Sequence, residues 1–478
     1  MILKKFLFSF GIAGILSCVN LVCQEHSVIH AASLTGMILN ENGDGVEKAE
    51  VSVKGGKGTK KKQKVITDSD GFYEFTGLKK GKYRIKITSA GYISEDEKLE
   101  IENGADTIET DFTLIFDEYE KTSDTETMDN AVSAFQEIGT LRKEDPINID
   151  EIASLYEEYL QDLTQQMDSE YGLSMDSDLL SAMDDIENDS DPKLAAQVID
   201  KTLQRVFYLA IYDRITEVRD DYDDENTSYL QELWDEAYSA YQALFSTADR
   251  ENKVLTEDRL SIETGSNPNL EDHITVAFIR GKEALEKKDL EEDEIEVGVQ
   301  RQVIRLSLIR AFYIAVLREV ESIISNRDTN LEKALEYQKE GEVYYKIVEE
   351  YVSRDNPSGN ETIKSQLTGD VSEVEADTIV SEMSRGFIGR VEGELEAAES
   401  NISEGNRMDA KVVAEEALLY SEVFLEDLGL RLGDDSMDDM EDALHDLRNA
   451  ADKMKESSAA SAIDTISSFI ESYENELL

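Results

Sequence analysis

"VIDKTLQRVFYLAIYDRI" at residues 198–215 and "VIRLSLIRAFYIAVLREV" at residues 303–320 are near copies of one helix, 105 residues apart. Placed in register, they share apolar positions four residues apart: Ile199, Leu203, Phe207, Ile211 and Ile215 against Ile304, Leu308, Phe312, Val316 and Val320. Arg205 and Arg310 each stand two residues before the phenylalanine. A weaker third copy, "TIVSEMSRGFIGRVEGEL" at residues 378–395, carries Ile379, Met383, Arg385, Phe387, Val391 and Leu395. This spacing marks a helix buried along a broad face.

Each copy is followed by a polar break and a second amphipathic helix. That helix contains a glutamate followed by a small residue: Glu236-Ala237, Glu340-Gly341 and Glu416-Ala417, each 28 or 29 residues after the phenylalanine. Tyr241, Tyr345 and Tyr420 follow within five residues. A shorter helix, "LLSAMDDI" or "ITVAFIRGKEAL", precedes the first two copies. Partial units open the array ("NAVSAFQEIG" with "IDEIASLYEEYLQDL") and close it ("MEDALHDLRNAADKM"). Units this thin bury their apolar faces only by stacking, so residues 128–478 are expected to form an all-α repeat array. Arg205, Arg310 and Arg385 are expected to clasp the glutamate of the paired helix, because a guanidinium fork meets two carboxylate oxygens at once and fixes register. In the alternative, Glu236, Glu340 and Glu416 converge with the tyrosines as oxygen ligands for a hard cation, calcium or iron.

Residues 33–116 have a different period. Short runs rich in Val, Ile, Tyr and Phe, about seven of them, alternate with Gly, Asn and Asp turns, from "LTGMIL" to "TDFTLI". They predict a small antiparallel β-sandwich, with Tyr83, Ile85 and Ile87 on one face and a tight reversal at "DSDG". The stretches "GMILNENGDGVEKAEVSV" and "TDSDGFYEFTGLKKGKYRIKITSAGY" resemble the carboxypeptidase regulatory-like domain, with Glu47 where such domains often have proline. The resemblance implies a prealbumin-like, non-catalytic accessory module, sometimes linked to carbohydrate or surface contacts. "KGGKGTKKKQK" from Lys54 to Lys64 is a lysine-rich loop, and "DEYEKTSDTET" at residues 117–127 reads as a polar linker. The fold class is therefore α+β multidomain: a small N-terminal antiparallel β-sandwich, then a large helical array.

The chain has 105 acidic and 48 basic residues among 478, a formal net charge of -57. Such a charge repels nucleic acid and attracts cations or basic protein surfaces. The excess lies in the helical part: from residue 117 onward there are about 89 acidic and 33 basic residues, against 15 and 13 in residues 33–116. Lys4 and Lys5, then an apolar run from Phe6 to Val22, read as an export signal over residues 1–32; "ILSC" leaves open a lipoprotein signal acylated at Cys18. No later segment is apolar enough to span a bilayer. Cys18 and Cys23 both lie in the signal, so thiol catalysis and cysteine metal sites are not expected.

"DYDDENTSYLQE" places Asp221, Asp223, Glu225 and Glu232 at positions one, three, five and twelve of a calcium loop, with Asn226 at the turn position where glycine is preferred. No nucleophile motif or phosphate loop is present, and only His273 and His445 lie outside the signal region. An enzyme would need a deep pocket that sets one of them against a carboxylate. "VIDKTLQRVFY" and "FIGRVEGELEAAES" resemble the extracytoplasmic helical extension of bacterial high-affinity iron permease family proteins, which implies extracytoplasmic iron capture. "REVES" and "RVEGELE" do not fit that family's Arg-Glu-x-x-Glu signature. The expected function is an exported, non-enzymatic binding protein that captures cations or a basic partner, with the sandwich as docking module. The alternative is a cell-surface structural or adhesion protein whose β domain contacts polysaccharide.

Overall fold

The computed structural model describes residues 32–41, 43–55, 62–89, 91–92, 95–101, 107–251, 254–255, 262–263, 270–288 and 290–477. The segment expected to be an export signal, save Ala32, and the centre of the lysine-rich loop lie outside the described residues. The β region forms β1 (Ala32–Leu39), β2 (Glu50–Gly55), β3 (Lys62–Ile66), β4 (Phe72–Leu78), β5 (Gly81–Thr88), β6 (Glu95–Ile101), β7 (Thr107–Glu109) and β8 (Phe112–Thr113). Alternation sends Leu34 and Ile38 of β1 inward, and Tyr83, Ile85 and Ile87 of β5 meet them in one core with Val51, Val53, Tyr73 and Phe75. At "DSDG" the Asp68 carboxylate accepts from Phe72 N at 2.7 Å, and Gly71 adopts φ +78, where a Cβ would lie 2.3 Å from Ile38 O.

The strands form two sheets, β3-β2-β5-β6 and β4-β1-β7, with β8 also on β1. The first is antiparallel. The second is mixed, because β7 and β8 run parallel to β1. A chain that leaves β6 and crosses to the other sheet can arrive in the direction of β1, which consecutive hairpins cannot do.

Among the described residues the remainder is helical, apart from a two-stranded pair and connecting turns. The opening unit holds α1 (Glu126–Leu141), α2 (Ile149–Leu155) and α3 (Gln161–Tyr171), the last two joined by a π-helical turn. Then come α4 (Met175–Glu187), α5 (Pro192–Asp220) and α6 (Thr227–Arg250). Past β9 (Val254–Leu255) and β10 (Ile262–Glu263) lie α7 (Leu270–Lys287), α8 (Glu291–Asn326) and α9 (Leu331–Ser353). The third set is α10 (Pro357–Thr368), α11 (Ala376–Glu404) and α12 (Arg407–Ser421); the closing set is α13 (Leu425–Leu432), α14 (Asp434–Asp452) and α15 (Glu456–Glu474). Each set is a short helix followed by a hairpin. The third copy thus has a leading helix too, and the closing unit is complete.

Every apolar residue of the three aligned stripes is buried, none more than 3% exposed. The second helices α6, α9 and α12 are all capped by asparagine, Asn226, Asn330 and Asn406, whose side chains accept from backbone N–H groups three residues on. Each asparagine stands ten residues before the recurring glutamate. The second helix of each unit packs on its own first helix and on the first helix of the unit before: α9 on α8 and α5, α12 on α11 and α8. The same rule places α6 on α1 and α15 on α11. One continuous core runs through all units, separate from the sandwich core. Among the described residues no helix is long and apolar enough to cross a membrane.

Residues 117–127 do not behave as a free linker. Asp235 of α6, fully buried, accepts from Tyr119 Oη at 2.6 Å, from the backbone N–H groups of Thr122 and Ser123 at 2.8 and 2.9 Å, and from Lys282 Nζ at 2.7 Å. Burial pushes the Asp235 carboxyl up, but these donors outweigh it and hold it below the usual carboxylate range.

Candidate functional site: the clasps, the acidic surface and the domain junction

The recurring arginines and glutamates do not meet as the sequence suggests. Glu236 takes Arg214 Nε at 2.7 Å, not Arg205. Glu340 takes Lys201 at 3.3 Å, and Glu416 takes Arg305 at 2.7 Å. Arg310 pairs with Glu422 at 3.2 Å and Glu426 at 3.1 Å, and Arg385 with Glu382 of its own helix at 3.1 Å. Arg205 makes no ion pair among the described residues. The reason is rotational. Two residues along a helix turn it by about 200°, so each arginine lies opposite the apolar stripe. On α8 the stripe meets the unit's own second helix, with Phe312 against Tyr344 of α9, while Arg310 reaches the turn after α12 in the next unit. Three of the clasps join neighbouring units, Lys201 of α5 to α9 and Arg305 and Arg310 of α8 to α12 and the turn after it, whereas Arg214 and Glu236 join α5 to α6 within one unit. The tyrosines also reach onward. Tyr241 donates to Glu271 O at 3.2 Å and Tyr345 to Asn360 at 2.9 Å, both in the next short helix. Tyr420 instead accepts from Arg305 and Arg390.

Glu236, Glu340 and Glu416 are thus each held by a cation of the chain, on separate contacts. The acidic loop is not wound for calcium. Asn226, at the turn position, has φ -77 and ψ 152 and starts α6, so Glu232 stands in the second turn of a helix with its side chain exposed. Asp223 and Glu225 are also exposed, and Lys288 donates to Glu225 O at 2.6 Å. Among the described residues no three His, Cys, Asp or Glu side chains gather as a metal site.

The helical part divides its charges by depth. The side chains of Lys201, Lys282, Arg305, Arg310 and Arg431 are no more than 9% exposed, and all are in ion pairs. The acidic runs "DDIENDSD" from residue 184 and "DDSMDDMED" from residue 434 have every Asp and Glu exposed. The sequence reading missed this partition. Apolar neighbours on both sides of an arginine, as in "LSLIRAFYI", are its visible trace.

The sandwich meets the array through a charged seam. Arg448 of α14 reaches Glu47 at 2.9 Å with one terminal nitrogen and Glu415 of α12 at 2.8 Å through Nε. Burial pushes Glu47 up, but Arg448 outweighs it, and the carboxyl lies below its usual range. Gly91 is pressed on α7: a Cβ there would fall 2.9 Å from Val276. A cleft of about 390 Å³ opens between the two parts, lined among others by His273, Arg280, Glu422 and His445. His445 Nδ1 lies 3.1 Å from Arg448, and burial pulls the His273 imidazole down to about 4. Both histidines therefore share a cleft with carboxylates. Those of Glu47, Glu415 and Glu422 are already held by Arg448 and Arg310, which makes the cleft a seam of ion pairs.

No curated protein matches the chain. The helical units lie outside the family match at residues 33–115, and their resemblance to iron permease extensions is not shown. That match, to the carboxypeptidase regulatory-like domain, covers residues 33–115. Its bounds enclose almost all of β1 and all of β2 to β8, and Glu47, inside the match, ties the sandwich to Arg448. The chain carries a carboxypeptidase regulatory-like domain at its N-terminal end, joined to a helical array more than three times its length.

Proposed function

We propose that the protein is an exported, non-enzymatic binding protein whose helical array captures a basic protein or peptide on its outer surface. The observation that carries this is the partition of charge. Several of the array's cations are turned inward into ion pairs, while the acidic runs from residues 184 and 434 lie wholly on the outside, so the outer surface presents dense negative charge. A surface of this kind draws a polycation by long-range attraction and needs no pocket to do so. The recurring glutamates are taken by the chain's own cations, which favours a basic partner over a bound calcium or iron ion. The sandwich, pinned by Glu47, serves as the attachment end.

The test is titration of the full chain with an oligolysine peptide. Binding should be saturable at about 50 mM salt and weaken at least tenfold by about 500 mM, where screening shortens the reach of surface charge. Absence of binding at low salt would sink the reading. A large rise in melting temperature with Ca²⁺ or Fe³⁺, and none with oligolysine, would replace it with metal capture. Export is checked by recovering the chain outside the cytoplasm with a new N-terminus near Ala31 or Ala32.

A further inference from the structure

Of the three aligned arginines, Arg205 alone has no ion pair among the described residues. Glu340 and Glu416 are equivalent and 76 residues apart, so Glu422 and Glu426, which hold Arg310, correspond to Lys346 and Glu350. Arg205, the equivalent of Arg310, therefore faces a lysine where its sibling finds a glutamate. It has no ion pair among the described residues. Burial pulls its guanidinium below the ordinary arginine range, with Glu349 only partly offsetting. Glu349 itself is drawn to Lys364 at 2.9 Å.

Arg205 and Lys346 line a cleft of about 460 Å³ between α5, α8, α9 and α11. Arg305, Arg354 and Arg390 share its lining, so four arginines gather in the wall of a cleft on a strongly acidic protein. Arg305 is 8% exposed, and its Nε has no hydrogen-bond acceptor among the described residues; the same is true of Arg390 Nε. Buried guanidinium donors are seldom left without acceptors. Tyr208, Tyr212 and Tyr351 supply rings to the same walls, with Tyr208 and Tyr351 joined through their hydroxyls at 2.9 Å. The volume suits a small ligand.

We propose that this cleft binds a small ring-bearing carboxylate, its carboxylate held by Arg205 in the role that Glu422 plays for Arg310, and its ring against the tyrosines. A ring-bearing carboxylate is favoured over inorganic phosphate, because the rings of Tyr208, Tyr212 and Tyr351 in the walls give an organic ring a face to lie against and give phosphate none. Sugar uronates and aromatic carboxylates share the recognised chemistry.

Calorimetric titration of the full chain with glucuronate, 4-hydroxybenzoate and inorganic phosphate separates the sources. Saturable one-to-one binding of either ring carboxylate, tighter than phosphate, is expected. Arg205→Gln should weaken it by roughly tenfold or more, as loss of a charged hydrogen bond does. Lys346→Glu should abolish it by giving Arg205 an internal carboxylate, while the fold and oligolysine binding stay intact. The Lys346 side chain is about one-third exposed, so this variant keeps the test open should Arg205→Gln unfold. Phosphate binding tighter than both carboxylates, no binding of either, or unchanged binding in Lys346→Glu overturns the proposal. Oligolysine binding fails or holds independently of these outcomes.

Discussion

Glu271 and His273 stand two residues apart on α7 and respond to pH with opposite sign. Burial pushes the Glu271 carboxyl up to about 7. Ionised Glu271 therefore costs folded-state stability above pH 7, and the cost disappears below its unfolded value of 4.5. Glu271→Gln should stabilise the protein by about 1–3 kcal/mol at pH 8 and leave it unchanged near pH 4.5, read from urea melts at both values. His273 is pulled down to about 4 from 6.5. Its contribution is complete above pH 6.5 and falls away as the pH drops toward 4, because the unfolded chain takes up a proton that the buried ring does not. His273→Gln should therefore lose less stability than the parent between pH 7 and 4.5 in the same melts. At this scale the sequence showed which residues recur but not their partners. Arg205, Arg310 and Arg385 occupy one aligned position and end with no ion pair, two inter-unit pairs and one intrahelical pair.

Helices and their burial were legible because their cause is local. A four-residue apolar step can be satisfied only by a helix with one covered face, and all three stripes are covered. The leading helix α10 escaped notice because its sequence, "PSGNETIKSQLT", is short and mostly polar, with Ile363 and Leu367 its only large apolar anchors. The asparagine caps, ten residues ahead of each glutamate, were not singled out in the sequence and emerge from the structure. Asn330→Ala should lower stability by about 1 kcal/mol, measured in a denaturant melt, because the first-turn N–H groups of α9 lose an acceptor. Gly341, the small residue after Glu340, has a steric cause. Gly341 brings α9 against α8 so closely that a Cβ would lie 3.3 Å from Glu319 Cβ. Gly341→Val should destabilise by about 1–3 kcal/mol, with a lower melting temperature as the readout.

For the molecule as a whole, the sandwich and the array are held together by the Glu47–Arg448–Glu415 triad, the Gly91–Val276 contact and the strap on Asp235. Glu47→Ala removes one partner of Arg448 and should loosen the junction without unfolding either part. The expected readout is faster proteolysis within residues 117–125, with the melting transition of the array displaced by only a few degrees, about 1–2 kcal/mol. Unchanged proteolysis would mean that the apolar contacts and the strap alone fix the sandwich.

What the sequence by itself determined is periodic: the sandwich, the helical units, their buried stripes and the acidic excess of the array. Each follows from side chains a few residues apart on one element, where backbone geometry leaves no choice of face. Only the tertiary structure could decide which helix meets which, and with it the identity of every clasp. A guanidinium pairs with whatever carboxylate lies within a few ångströms, and that distance depends on how one unit stacks on the next. The place where Arg205 faces Lys346 becomes visible only once that stacking is known.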